Sequence, residues 1–118
     1  MSINPRSIKA ACVTFANGQT ISGGCHGVCL YEAEARGWYG SVDEAFDAIR
    51  LEGFITHGGE ILTREQAYHR AIETRAMTRE TYQQMAEESG CALFAGNLAR
   101  RPYLESITFE EAGGELMA

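Results

Sequence analysis

A cysteine–histidine cluster near the start of the chain is the group of residues best suited to chemistry. Cys25 and His26 are adjacent, and Cys29 follows three residues after the histidine. Zinc takes thiolate and imidazole ligands, and a structural site usually needs four of them. The other residues that would have to complete such a site are His57, His69, Cys12 and Cys91. Because the chain has no second close pair of cysteines, the spacing predicts no metal site. We also expect no other cofactor.

The same cluster could supply a nucleophile and a base. Cys25 and His26 are neighbours in sequence, however, and neighbours on a helix do not face each other. Cys29 falls on the predicted buried side of a helix, where a free cysteine acts as a small apolar residue. The chain also lacks a serine elbow, a kinase-like motif set and a pair of catalytic carboxylates. We therefore predict that the protein is not an enzyme, and keep a small metal-dependent enzyme as a third hypothesis.

Two features are typical of anion binding. The loop at 23–27 follows a predicted strand and precedes a predicted helix, so its backbone N–H groups could meet an anion, although it is neither a Walker loop nor a dinucleotide fingerprint. Arg64 lies in the first turn of another predicted helix, where the macrodipole disfavours a cation. Either Arg64 awaits a ligand phosphate or partner carboxylate, or its head reaches a carboxylate at the core edge. Both interpretations stay open.

A basic segment precedes Pro102. It contains Asn97, Arg100 and Arg101, and the aromatic residues on either side of it are Phe94 and Tyr103. Aromatic rings beside arginine suit the recognition of nucleobases and phosphates. They suit a core edge with solvated arginines equally well.

The composition is that of one globular domain of 118 residues. The net charge of −6 argues against nucleic-acid binding, which needs a basic face. No apolar run is long enough to span a membrane, and the amino terminus does not resemble a signal peptide. We therefore expect a cytoplasmic protein with reduced cysteines, without a membrane or nucleic-acid partner.

The elements that must position these residues are two β-hairpins and three or four helices. The Asn-Gly pair at 17–18 joins the strands of the first hairpin, and the turn at 57–59 joins those of the second. The predicted strands are Ser7–Phe15, Gln19–Ser22, Gly53–Thr56 and Glu60–Leu62. The predicted helices are His26–Arg36, one that Ser41 caps, one that Thr63 caps and Arg79–Ser89.

Apolar spacing predicts which helix residues face the core. The predicted inward residues are Val42, Ala45, Phe46 and Ile49 on the second helix, Ala67, Tyr68, Ala71 and Ile72 on the third, and Tyr82, Met85 and Ala86 on the fourth. No internal repeat is visible. The expected fold is a small single α+β domain over residues 1–118, with an antiparallel sheet packed by the helices, an ordered core at about 8–110 and a frayed tail at 111–118.

Several short motifs occur together as they do in small tailed-phage proteins. They are the Ile-Lys-Ala-Ala run at 8–11, an isolated glycine followed by His26, the Gly-Phe-Ile-Thr run at 53–56, the stretch from Gly59 to Ala67 that contains Arg64, and a late Leu-Phe pair. On these motifs residues 8–98 resemble the phage anti-Thoeris family, the signal-sponging anti-defence proteins.

The resemblance implies a counter-defence protein of the host bacterial cytoplasm. Such proteins bind cyclic ADP-ribose isomers, and some bind cyclic oligonucleotides, without cleaving them. They act as oligomers with the site near a subunit interface. The resemblance implies that the ligand-binding residues here are His26, Phe54, Arg64, Asn97 and Arg100, with arginines on the pyrophosphate and an aromatic ring on the adenine.

The chain departs from the family pattern at three places. Cys25 and Gly27 flank the histidine, where relatives tend to have a second basic or His residue. Ile61 stands where relatives have an aromatic residue. The run at 96–98 stands where relatives have acidic residues and a tryptophan. These departures bear on the identity of the ligand. The alternative function is an inhibitor of the anti-CRISPR type, which binds a host defence protein directly and would expose an acidic or apolar patch.

Overall fold

The fold is an α+β arrangement of four strands and four helices, as the sequence predicts, in a computed structural model that describes residues 3–88 and 114–116. The strands are β1 (Ile8–Phe15), β2 (Thr20–Gly23), β3 (Ile49–Thr56) and β4 (Ile61–Thr63). The helices are α1 (His26–Ala35), α2 (Val42–Asp47), α3 (Arg64–Glu73) and α4 (Arg79–Glu88). No described helix is long and apolar enough to cross a membrane.

The four strands form one antiparallel sheet in the order β2-β1-β3-β4. Each outer strand is joined to its inner neighbour by a short turn, so both predicted hairpins are present. Gly18 has a φ of 82°, which glycine adopts without strain, and this explains the Asn-Gly pair in the first turn. The central β1–β3 pair connects the hairpins, with Cys12 opposite Gly53.

The two halves of the chain repeat one order of elements, namely two strands followed by two helices. The central β1–β3 pair lies between the halves, with one outer strand on each side. As a result α1 begins shortly after β2, and α3 begins directly after β4. The first residues of these two helices are His26 and Arg64.

One side of the sheet packs against the helices in two clusters. Residues opposite each other in register share a side of the sheet, so the helix-packing side carries alternate strand residues. The first cluster joins that side to α3 and α4 through Ile8, Ala11, Phe54, Leu62, Ala67, Tyr68, Ala71, Met77 and Tyr82. The second joins it to α1 and α2 through Val13, Phe15, Ile21, Cys29, Ala33 and Ala45.

The structure differs from the predicted elements most clearly at α2 and β3. The helix ends at Asp47, and β3 already begins at Ile49, four residues earlier than the predicted strand. Ile49 is therefore a strand residue, and the prediction that it belongs to the helix is wrong. The prediction that Phe46 faces the core is also wrong, because its side chain is 60% exposed. In so short a helix Ala45 alone is fully buried against the second cluster.

The fourth helix and the tail are described in part. Tyr82 is fully buried, as predicted, whereas the side chains of Met85 and Ala86 lie outside the described residues. Residues 114–116 fall within the segment predicted to be frayed, yet Gly114 is buried and Leu116 packs against the first cluster. This part of the tail contributes to the core.

Ion pairs fasten α3 to the second hairpin and to the start of β1. The Arg70 Nη1 atom donates to the Glu60 carboxylate at 2.8 Å and to the backbone carbonyl of Arg6 at 3.1 Å. The guanidinium of Arg6 in turn pairs with Glu73 at 2.8 Å. The hydrogen bond from Arg70 holds the pKa of the Glu60 carboxyl below its usual value. These contacts fix the orientation of the helix that begins with Arg64.

Candidate functional site

His26 is buried at the start of α1, and its ring orientation is fixed by the backbone of β3. Its Nε2 atom lies 2.8 Å from the carbonyl oxygen of Gly53, and the residue is only 8% exposed. A carbonyl oxygen accepts and never donates, so Nε2 carries the proton in this bond. Its Nδ1 atom points toward α3, where the Arg64 guanidinium can only donate, so Nδ1 is the acceptor in that contact.

Arg64 approaches His26 from the start of α3. Its Nη2 atom is 3.4 Å from His26 Nδ1 and 2.7 Å from Glu52 Oε2. The backbone of Arg64 is held by a capping box, in which the Thr63 hydroxyl accepts from the N–H of Gln66 and the Gln66 side chain accepts from the N–H of Thr63. This predicted capping box fixes the exact residue at which α3 begins, and so places the guanidinium beside the histidine.

Glu52 completes the cluster and is not among the site residues predicted from the sequence. Its register partner is Val13, so it lies on the helix-packing side of the sheet, among core residues. The side chains of Arg64 and Glu52 are 20% and 31% exposed. A sequence signal for Glu52 exists: it precedes Phe54 by two residues, and alternate residues of a strand share a side. That signal becomes readable only once β3 is extended back to Ile49.

Phe54 forms the inner wall of this cluster. The centroid of its ring lies 5.2 Å from that of the His26 ring, at an interplanar angle of 79°, and the Phe54 side chain has no exposed surface. An edge-to-face pair of this kind holds the imidazole in position. Three of the five predicted binding residues, namely His26, Phe54 and Arg64, are therefore in contact, while Asn97 and Arg100 lie outside the described residues.

The arrangement agrees with the interpretation in which the head of Arg64 reaches a carboxylate at the core edge. The pair with Glu52 explains how a cation is tolerated in the first turn of a helix. The interpretation in which Arg64 binds a ligand uses the same chemistry, because a carboxylate and a phosphate oxygen make the same kind of hydrogen bond to a guanidinium. In this structure the Glu52 carboxylate accepts from the guanidinium of Arg64.

The cysteines near this cluster are spread over different environments. Cys12 and Cys29 are fully buried, and the Cys29 thiol donates to the carbonyl oxygen of Cys25 at 3.5 Å. Burial raises the pKa of the Cys12 thiol to about 11 and that of Cys29 to about 12. Within residues 3–88 and 114–116, no three His, Cys, Asp or Glu side chains are grouped so that they could hold a metal ion.

The burial of the thiols predicts their reactivity. In a Cys91→Ser variant, Cys25 is expected to react within minutes with a chromogenic disulfide reagent at about pH 8, because it is the partly exposed thiol of the three that remain. Cys12 and Cys29 are expected to react only when the protein unfolds. Titration in denaturant, where all three thiols react, is the control. Reaction of two or more thiols in the native protein would contradict this prediction.

The same burial gives stability a dependence on alkaline pH. The folded protein keeps Cys12 and Cys29 protonated, whereas the unfolded chain ionises them near the ordinary value of 9.0. The free energy of unfolding is therefore expected to be unaffected by these thiols below about pH 8, and to fall by about 1.4 kcal/mol per pH unit for each thiol above about pH 9. Urea unfolding of the native protein and of a Cys12→Ala variant, from about pH 8 to about pH 10.5, measures the difference. An identical slope in both proteins would contradict the prediction for Cys12.

Comparison with known proteins gives no relative for this chain: no protein-family model, no curated protein and no solved structure matches it. What the cluster does must therefore be inferred from the contacts of His26, Glu52, Phe54 and Arg64, together with the motifs in the sequence.

Proposed function

We propose that the protein binds a cyclic nucleotide signal, of the cyclic ADP-ribose isomer type, at Arg64 and His26. It sequesters this signal without cleaving it, as a phage counter-defence protein acting in the cytoplasm of its bacterial host. The observation that carries the proposal is the convergence of His26 and Arg64, 3.4 Å apart, at the first residues of two different helices.

The electrostatics of this position favour an anion. A helix N-terminus carries partial positive charge, and the first residues of α1 and α3 bring His26 and the Arg64 guanidinium together at this position. The side chain of Cys25, which precedes α1, makes no capping hydrogen bond to that helix. Arginine's planar fork matches the geometry of phosphate oxygens. A ligand phosphate would take the place of the Glu52 carboxylate on Arg64.

The state of His26 supports binding without cleavage. Its Nε2–H is held by the carbonyl of Gly53, and its Nδ1 faces Arg64. In this arrangement the Nδ1 lone pair that a general base would use is engaged by the guanidinium of Arg64. In this proposal Phe54, which has no exposed face, holds the His26 ring and does not stack on a nucleobase.

Native mass spectrometry of the purified protein tests the proposal. The protein is measured alone and with a panel of cyclic ADP-ribose isomers and cyclic di- and trinucleotides. We expect an oligomer that retains one of these nucleotides and releases it intact on denaturation. Conversion of the nucleotide to a product would overturn sequestration without cleavage. A protein that ignores the whole panel would overturn the nucleotide proposal and leave the alternative, an inhibitor that binds a defence protein directly.

A further inference from the structure

The outward side of α1 is apolar, where a surface helix is normally polar. His26, Cys29 and Ala33 face the sheet, so Val28 and Tyr31 lie on the opposite side of the helix, where they are 50% and 68% exposed. On α2, which contacts α1, Phe46 is 60% exposed. These residues are three of the five large apolar side chains that are strongly exposed within the described residues.

Acidic side chains accompany these apolar ones. Residues 28–48 contain five carboxylates and one guanidinium, a net charge of −4 in a chain whose total is −6. Two of the carboxylates have local partners: Glu32 pairs with Arg36 at 2.9 Å, and Glu44 accepts from the N–H of Gly40 at 2.8 Å. The other three are exposed and form no ion pair within the described part of the chain; they are Glu34, Asp43 and Asp47. We call Val28, Tyr31 and Phe46, with these three acids, the α1–α2 surface.

Two of these acids oppose the stability of their own helices. Glu34 lies in the last turn of α1, and Asp47 is the last residue of α2. The macrodipole favours cations at these positions, and neither last turn contains a basic residue. The carboxylates therefore do not serve the helices that carry them. Binding to a partner outside the chain explains their presence better than stabilising their own helices does.

We infer that the α1–α2 surface binds a partner protein whose contact face is basic and offers a pocket for Tyr31 or Phe46. Exposed aromatic side chains accompanied by polar ones are typical of protein interfaces, and opposite charge on the partner steers the encounter. A second copy of this chain fits poorly, because a two-fold interface would place the same acids against each other. Nucleic acids and anionic lipids would be repelled. This inference does not depend on the proposed nucleotide site.

Selection from a random peptide display library on the purified protein tests the inference. We expect enrichment of peptides that combine arginine or lysine with aromatic or aliphatic residues. A Tyr31→Ser variant should bind the enriched peptides at least tenfold more weakly, as for loss of an interface anchor. Raising the salt from about 50 to about 300 mM should also weaken binding, because exposed charges are screened.

Matched charge variants locate the site. Glu34→Gln with Asp47→Asn should weaken peptide binding at least threefold without lowering the melting temperature, since both carboxylates lie at helix C-termini. Glu65→Gln with Glu80→Gln changes the net charge equally on α3 and α4, and should leave binding unchanged. The inference is overturned by equal binding to the Tyr31→Ser protein, by enriched peptides that are not basic, or by no enrichment at all. A dimer that Tyr31→Ser dissociates in sedimentation analysis would also overturn it.

Discussion

Replacing Gly53 by alanine is expected to destabilise the protein by roughly 3 kcal/mol or more, which is enough to unfold most molecules of a small domain on mild heating. A Cβ atom at Gly53 would lie 2.1 Å from the backbone carbonyl oxygen of Leu62, an approach that real side chains do not make. The obstacle is backbone, so it cannot rotate away. The second hairpin would have to open, and α3 begins directly after it. Thermal unfolding followed by circular dichroism measures the loss.

Gly27 provides the control for this substitution. It lies in α1, and a Cβ atom there would meet nothing within 4 Å. Gly27→Ala should therefore stabilise the protein by roughly 0.5–1 kcal/mol, because glycine is a poor helix residue. The prediction for Gly53 is contradicted if the Gly53→Ala protein melts within a few degrees of the unmodified chain. Such a result would mean that β4 can shift without cost.

The second large effect is expected at Arg64, where removal of the guanidinium should weaken nucleotide binding at least 100-fold, as for loss of a bidentate phosphate contact. Glu52→Gln should have the opposite effect and strengthen binding roughly tenfold, because it removes the negative charge that competes with the phosphate. Isothermal titration with the nucleotide identified by native mass spectrometry measures both changes. Glu52 reaches the cluster from β3, and its hydrogen bond there is to Arg64. Tighter nucleotide binding by the Glu52→Gln protein would therefore report competition for Arg64.

Stability measurements separate a binding role from a structural one. Arg64→Ala alone leaves Glu52 partly buried without its partner, at a cost of about 1–2 kcal/mol, and Glu52→Gln in the same protein should recover part of that loss. Arg36→Ala is the control for the loss of an ion pair away from the cluster, because Arg36 pairs with Glu32 and both side chains are about half exposed. Equal binding by the Arg64→Ala protein, once shown to be folded, would exclude Arg64 from the ligand site.

The local signals in the sequence predict the hairpins and the helix starts well. The Asn-Gly pair at 17–18 and the capping box at Thr63 act through neighbouring atoms, so their effect is readable from neighbouring residues. The start of β3 is different. Val42, Ala45 and Ile49 have helical spacing, and only pairing with β1, which is far away in sequence, draws Ile49 into the sheet.

The same distinction between local and long-range signals applies to the residues of the candidate site. Arg64 stands out because it is a cation in the first turn of a predicted helix, and His26 stands out through its place in the cysteine–histidine cluster and in the family resemblance. Glu52 cannot be found in that way, because its role depends on a strand that reads as part of a helix. The need for glycine at 53 is also invisible, since it arises from the close passage of β4. The repeated order of elements in the two halves leaves no repeat in the residues themselves.

That repeated order has a consequence for the growing chain. His26 belongs to the first half, and Glu52, Phe54 and Arg64 belong to the second, so the cluster exists only after β3 has paired with β1. The first half has its own hairpin, two helices and a core cluster, so it can begin to fold during synthesis. A truncated chain that ends before α3 would still lack Arg64 and could not complete the site. Two fragments divided at the exposed Gly40 would each be incomplete, and binding of the nucleotide would report that they had reassembled.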